Sequence, residues 1–514
     1  MTRANGGRVA PAGRRSRART REEGEPEIGR ALRFTSRSPA LRVAHLRGTL
    51  RALVAAVTAA STFIAAREAR AAGLYFSDRG VRPLGRAGAF VAGADDLGAI
   101  WYNPAGLADA GTSLLLDASW MNFSSTFTRQ LIATDANGAQ YTETLPSAQG
   151  STPFLPIPTL AFSYAFGPRK EWTAAIGAYA PYTPVASYPE TAASRYSLVS
   201  LNGSALVDTG LWLAYKPIEQ IRIGVGVQAL VGTFATSVVM SANPSNRLLG
   251  APEDPSYDAL SQLDVGPIFA PTGNAGVTVV PERHIRVGMS GQLPTHIDAP
   301  ATIQVRLPNA VLFDHATVSG EDGRVVFNLP GVLRAGVEVR PIDALRVELA
   351  YVHEFWSNHT EIDVIPNNIS ISGITGLPPG LRVGEIVIPR HFQDSDSLRL
   401  GGELGLPIGE NRLDVRTGFA LESSAVPANY ESPLTVDMNK LTVSLGAGFH
   451  LGKHWRFDFV YAHVFGESVT TPAATAAVPA INPVKGNATT PDTINGGKYT
   501  AHADIVGLGV NFVF

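Results

Sequence analysis

The chain has 514 residues, no cysteine, 51 glycines and 17% charged residues. Absence of cysteine excludes disulfides, thiolate metal sites and a cysteine nucleophile. The near-neutral mean hydropathy is too polar for a bundle of membrane-spanning helices.

Charge is unevenly placed. Residues 1–51 carry 13 Arg against 4 Glu, whereas setting aside residues 1–71 leaves 27 basic against 39 acidic residues, net −12. The acidic remainder gives no support for a nucleic-acid partner. The basic stretch reads either as a tail for nucleic acid or an anionic surface or as residues ahead of a later start near Val43. Leu53–Ala66 is the longest strongly apolar run, at 14 residues. A spanning helix needs about 20, so the run fits a signal-peptide core, with Arg47 and Arg51 before it. Ala69-Arg70-Ala71 supplies an A-x-A site, so cleavage is expected before Ala72, with residues 1–71 removed.

Residues 72–111 resemble neither a strand nor a long amphipathic helix. They are rich in Gly and Ala, with helical turns expected around Arg86–Ala94 and Leu97–Tyr102. Asn103-Pro104 then forces a turn, because the proline ring fixes its own φ and pushes Asn103 out of the α region.

From Thr112 onward, segments alternate with period 2, as strands with two unlike faces do. Leu441, Val443, Leu445, Ala447 and Phe449 share one face; Val506, Leu508, Val510, Phe512 and Phe514 share another at the chain's end. Fourteen such segments start near Ser113, Ile157, Glu171, Gly203, Gln220, Val265, Arg283, Gly331, Ala344, Asp396, Arg412, Lys440, His454 and Tyr499. Short connections such as 216–220 and 451–453 alternate with long ones such as 236–264 and 298–330. Every long loop therefore emerges on one side, the pattern of an even-stranded outer-membrane barrel. The expected fold is all-β: a 14-stranded antiparallel transmembrane barrel over residues 112–514.

In lipid the apolar face must be the outside, which leaves the charges to the lumen. Arg286, Glu338, Arg346, Glu348, Glu403, Arg416, Arg456 and Asp458 fall on that face, and the N-terminal segment brings Asp78, Arg79, Arg82, Arg86, Asp95 and Asp96. They either pair among themselves and fill the lumen or grip the N-terminal segment. Catalytic sets are not evident: His353-Glu354 and His359 lack HExxH spacing, and no G-x-S-x-G elbow or phosphate loop occurs. The reading is of a protein that is not an enzyme and needs no cofactor or metal.

The start Ala72-Gly73-Leu74, the run Gly85–Leu107 and above all Asn103-Pro104-Ala105 resemble the N-terminal hatch of the FadL family of outer-membrane channels for long-chain fatty acids and other hydrophobic compounds. The resemblance implies that residues 72–111 plug the barrel, with Ala72, Gly73 and Leu74 at the mature N-terminus near the ligand. It implies passive uptake: capture among apolar outer loops such as Val311-Leu312-Phe313, binding in the lumen, and exit sideways into lipid. The exit would lie where a kinked third strand meets the hatch. Gly177 and Pro181 are the kink candidates, with the turn at Asn103, Pro104 and Ala105 facing the gap. Gly509, Phe512 and Phe514 resemble the C-terminal signal read by the barrel-assembly machinery. Expected partners are a hydrophobic small molecule, outer-membrane lipid and lipopolysaccharide, and that machinery. A general diffusion porin and a structural or adhesin barrel are the alternatives.

Overall fold

The computed structural model describes residues 78–152, 156–181, 186–243, 253–484 and 492–514. Its frame is one closed antiparallel sheet of 14 strands. In chain order these are β1 (Ser113–Thr134), β2 (Pro156–Phe166), β3 (Trp172–Tyr179), β4 (Ala205–Ile218), β5 (Ile221–Ser241), β6 (Asp258–Glu282) and β7 (Ile285–Gln292). There follow β8 (Val332–Ile342), β9 (Leu345–Glu354), β10 (Ser395–Ile408), β11 (Asn411–Glu422), β12 (Lys440–Leu451), β13 (Trp455–Gly466) and β14 (Gly497–Val513). Each strand pairs with the next, and β14 returns to β1, with Ser113 opposite Val513 and Arg129 opposite Gly497. Closure matters because an open edge facing hydrocarbon would leave backbone groups unpaired, at several kcal/mol each.

Period-2 alternation decides which face is which. Leu211, Val227, Leu445, Phe459 and Leu508 stand exposed on the outer face, while Ala214, Gln228, Ser444, Asp458 and Ile505 are buried within. At the short-turn end the outer face carries aromatic clusters: Trp172 on Tyr215 (4.1 Å between centroids), and Trp455, Phe512 and Phe514 in sequence (4.5 and 4.7 Å). Rings there suit a membrane–water interface.

Several strands are taller than a bilayer. β1, β5 and β6 have 22, 21 and 25 residues, against about 9–11 needed to cross the hydrocarbon. β6 begins at Asp258, earlier than the expected Val265, because its upper half pairs with β5 from Ser241 down. The region 298–330, read from sequence as a loop, holds most of one strand and all of another. Thr295–Arg306 continues the line of β7 past Leu293-Pro294, and Asp322–Leu329 leads into β8 past Pro330-Gly331. Glu361–Pro366 and Ile386–Pro389 extend the same upper sheet. Proline has no N–H to donate, so a ladder breaks at Pro294 and Pro330, and sequence periodicity is interrupted there.

Candidate functional site

The site has a floor and a chamber. The floor is residues 78–112, nearly all buried inside the turn-end half of the barrel. Its two helical turns are Val81–Leu84 and Ala99–Tyr102, followed by a 3-10 turn, Pro104–Asp109. The turn expected at Arg86–Ala94 is displaced to Val81–Leu84. The reason lies in the wall. Glu348 of β9 accepts N–H donation from Val91 (2.6 Å), Ala92 (2.8 Å) and Gly93 (2.9 Å). Successive N–H groups converging on one anion form a nest, which is incompatible with a helix that would use them internally.

Charges then lock the floor to the wall. Arg82 grips Glu403 of β10 through two bonds of 3.0 Å and also reaches Asp95 and Asp96. Arg86, with no exposure, lies 3.1 Å from both Glu338 and Glu348. Arg346 pairs with Asp95 (2.8 Å), Arg456 with Asp96 (2.7 Å), and Arg399 with Asp78. Arg222 and Arg286 share Asp109. Of the two readings open from sequence, the charges grip the segment, and they pair with one another as well: Arg416 bridges Glu403 and Asp458.

Glycines on the inner face let the floor backbone touch the wall. A Cβ at Gly224 would sit 2.2 Å from the Pro104 carbonyl carbon, at Gly276 2.1 Å from Asn103 Oδ1, and at Gly418 2.3 Å from the Arg86 carbonyl carbon. Inward-facing glycines recurring across neighbouring strands were a sequence signal for this seat.

Above the floor the inner face turns apolar. Leu230, Ile268, Ile297, Ile303, Val325 and Phe327 form one buried cluster. Beside it lies a cavity of about 80 Å³, walled by residues such as Val238, Leu263, Val364, Ile388, Leu434 and Ile494. At roughly 10–15 Å³ per water-sized group, that accommodates a small ring or a short stretch of chain. Among the described residues of its wall, Arg390 is the one that is charged. His359 is buried nearby, its Nδ1 donating to the Asn328 carbonyl (2.7 Å). Burial first, and Arg390 second, push its pKa down to about 3, so the imidazole is neutral. Sequence reasoning missed Arg390, whose setting depends on loops far apart in the chain. Trp356, Phe392 and Val426 join Trp101 of the floor in a further apolar cluster.

The residues singled out from sequence fall as follows. Ala72, Gly73 and Leu74 lie outside the described residues. Asn103 is extended (φ −163°), and its Oδ1 accepts from the Ala105 N–H, which starts the turn at Pro104 and Ala105. Its Nδ2 donates to the Val91 carbonyl (2.9 Å) and to Thr278 Oγ1 (3.0 Å). Asn103 therefore braces the floor against β6. Gly177 stays within the ladder, opposite Ala161 and Gly210. Pairing of β3 ends two residues later at Tyr179, while Ile157 of β2 and Leu206 of β4 lie beyond its last partners. Pro181 is buried just past that end, its carbonyl accepting from Arg79 Nη2. Bridging resumes at Ser187, which joins Ser151 and Ser200. Gly509 faces Asp117 across the β1–β14 seam; Phe512 and Phe514 sit at the turn end, and the Phe514 N–H donates to the Thr112 carbonyl (3.0 Å).

A closed barrel with an apolar skin, short turns at one end and tall loops at the other is an outer-membrane β-barrel. Residues 62–514 match the family described as outer membrane protein transport protein (OMPP1/FadL/TodX), and the chain belongs to that family. Among solved structures it is similar to a Pseudomonas aeruginosa FadL homologue (TM-score 0.66, 14% identity, covering 86% of this chain and 100% of that one). It is also similar to the P. putida toluene transporter TodX (TM-score 0.56, 14% identity, 84% and 98%) and the Ralstonia pickettii toluene transporter TbuX (TM-score 0.52, 16% identity, 85% and 99%). No curated protein matches the sequence.

Proposed function

We propose that this protein carries hydrophobic small molecules, fatty acids or hydrocarbons, passively across the outer membrane. Residues 72–111 act as a hatch after residues 1–71 are removed as a leader. Substrate enters among the tall loops, rests in the apolar cavity, and leaves sideways past the end of β3. The observation that supports this best is an apolar chamber standing over an ion-paired floor. A lipophilic solute gains from apolar walls, whereas the charged, filled lower lumen offers no water column to a general porin. Asn103, Pro104 and Ala105 set the hatch against β6, and Gly177 and Pro181 flank the place where the third strand stops pairing. The barrel-assembly machinery would read Gly509, Phe512 and Phe514, and the tall strands would stand among lipopolysaccharide.

Two measurements on the wild type test this. Cells expressing the protein should take up radiolabelled oleate or toluene with saturation, and planar bilayers should show little steady ion conductance. Large open-channel currents with no saturable uptake would favour the porin reading; neither activity would favour a structural barrel.

A further inference from the structure

Arg390 lies just beyond the short strand Ile386–Pro389, on the rim of the apolar cavity, and is 1% exposed. Its backbone N–H donates to the Thr360 carbonyl (2.7 Å), which fixes where the side chain starts. The guanidinium itself is almost unpartnered. Nη1 reaches only Thr435 Oγ1, at 3.5 Å, and Nε and Nη2 have no hydrogen-bond partner. No carboxylate pairs with it among the described residues, and His359, whose pKa it helps to depress, is neutral. Burial lowers the pKa of Arg390 to about 10, which still leaves it charged at neutral pH.

A lone buried cation is expensive, because lost hydration is not replaced. Arg82 and Arg86 of the floor are each paired with carboxylates, so this protein can satisfy buried arginines with its own acids. Nε and Nη2 lie on one edge of the guanidinium plane, the edge that presents two parallel N–H groups to a planar anion. The remaining walls are mainly aliphatic, with hydroxyls such as Ser197 and Ser432 as the polar exceptions.

We propose that Arg390 anchors the anionic head of an amphipathic ligand, a carboxylate on a hydrocarbon body, inside this cavity. The proposal rests on the transport reading above and narrows it: the cargo is a lipophilic acid. A neutral hydrocarbon would leave the guanidinium bare. A phosphate dianion would need more donors than one arginine edge and a few hydroxyls supply.

The test compares dodecanoate with dodecan-1-ol, which share a chain and differ in charge. Calorimetric titration would use the full protein purified in a nonionic detergent, with heat-modifiable gel mobility as the control for folding. Wild type should bind dodecanoate about tenfold or more tighter than the alcohol, the range of a charge-assisted hydrogen-bond pair. Arg390→Leu should lose that preference while still binding dodecan-1-ol, and Arg390→Lys should keep part of it. Equal wild-type affinity for the two ligands would overturn the anion site while leaving hydrophobic transport standing, as would an unchanged preference in Arg390→Leu. Failure of the wild type to bind either ligand would sink the chamber reading and the anion site together.

Discussion

Glu348 makes four contacts with two oxygens: it accepts three floor N–H groups and balances Arg86. Breaking one member of such a buried set strands the others, at roughly 3–5 kcal/mol. The barrel's own ladders do not depend on it. Glu348→Ala should therefore leave folded yield near normal while loosening the floor, read as new conductance steps in planar bilayers; a silent bilayer would mean the glycine seat and remaining pairs suffice. Glu431 illustrates the opposite case. It is fully buried in the loop between β11 and β12, its Oε1 accepting the Asp437 N–H (2.6 Å) and its Oε2 unpartnered. Burial, then the charge of Asp437, raises its pKa well above the ordinary value; burial also pushes Asp437 up to about 6, opposed by Lys440. A raised folded-state carboxylate pKa means that the packed loop holds more protons than the unpacked one. Loop stability is then fullest at low pH and falls as pH climbs through the ordinary carboxylate range toward the raised values. Corrected hydrogen exchange of residues 423–439 should be faster at pH 9 than at pH 5, and Glu431→Gln should remove much of the difference. The same pH dependence in the variant would assign it elsewhere. The charges of the floor were visible in sequence as lumen-facing residues. The isolation of Arg390 was not, since it depends on which partners fail to arrive.

Strands were legible because lipid imposes a strict alternation on them. Leu441 to Leu451 shows it without interruption, and β12 follows. The upper sheet escaped notice because Pro294 and Pro330 cut its strands from β7 and β8. Where β3 stops was also obscure: Gly177 looked like the break, yet it is paired, and the ladder ends at Tyr179. The last strand allows a test at this scale. Phe514 adds one backbone bond to Thr112 and packs near Phe512 and Phe162. Among so many outward aromatics it contributes little to the finished barrel. Deleting it should lower the amount of heat-modifiable protein in the outer membrane, while the melting temperature of the protein that does fold shifts little. Normal folded yield would remove its role in assembly.

At the scale of the whole molecule, the floor is attached asymmetrically. Its ion pairs run to β5, to β7 through β10 and to β13; among the described residues none joins it to β2, β3 or β4. Toward those three strands it presents Ile100 and Trp101 to Ala161, Ala175, Tyr179 and Trp212. In mechanical terms this is a door: one jamb carries the hinges, and the other meets a greased free edge beside the end of β3. Swinging that edge disturbs apolar contacts, which re-form without regard to angle, and the bond from Arg79 to the Pro181 carbonyl, whereas lifting the hinged side would strand several paired charges. The cysteine-free sequence makes the idea accessible to crosslinking. A cysteine pair at Ile100 and Gly177, whose added Cβ would lie 3.1 Å from Ile100 Cδ1, should abolish uptake when joined by oxidation or a short bis-thiol reagent. Reductant should restore it after oxidation. A pair at Val91 and Gly336, on the hinged side, should transport equally well open or joined. If bolting either side has the same effect, the floor moves as one piece, or not at all.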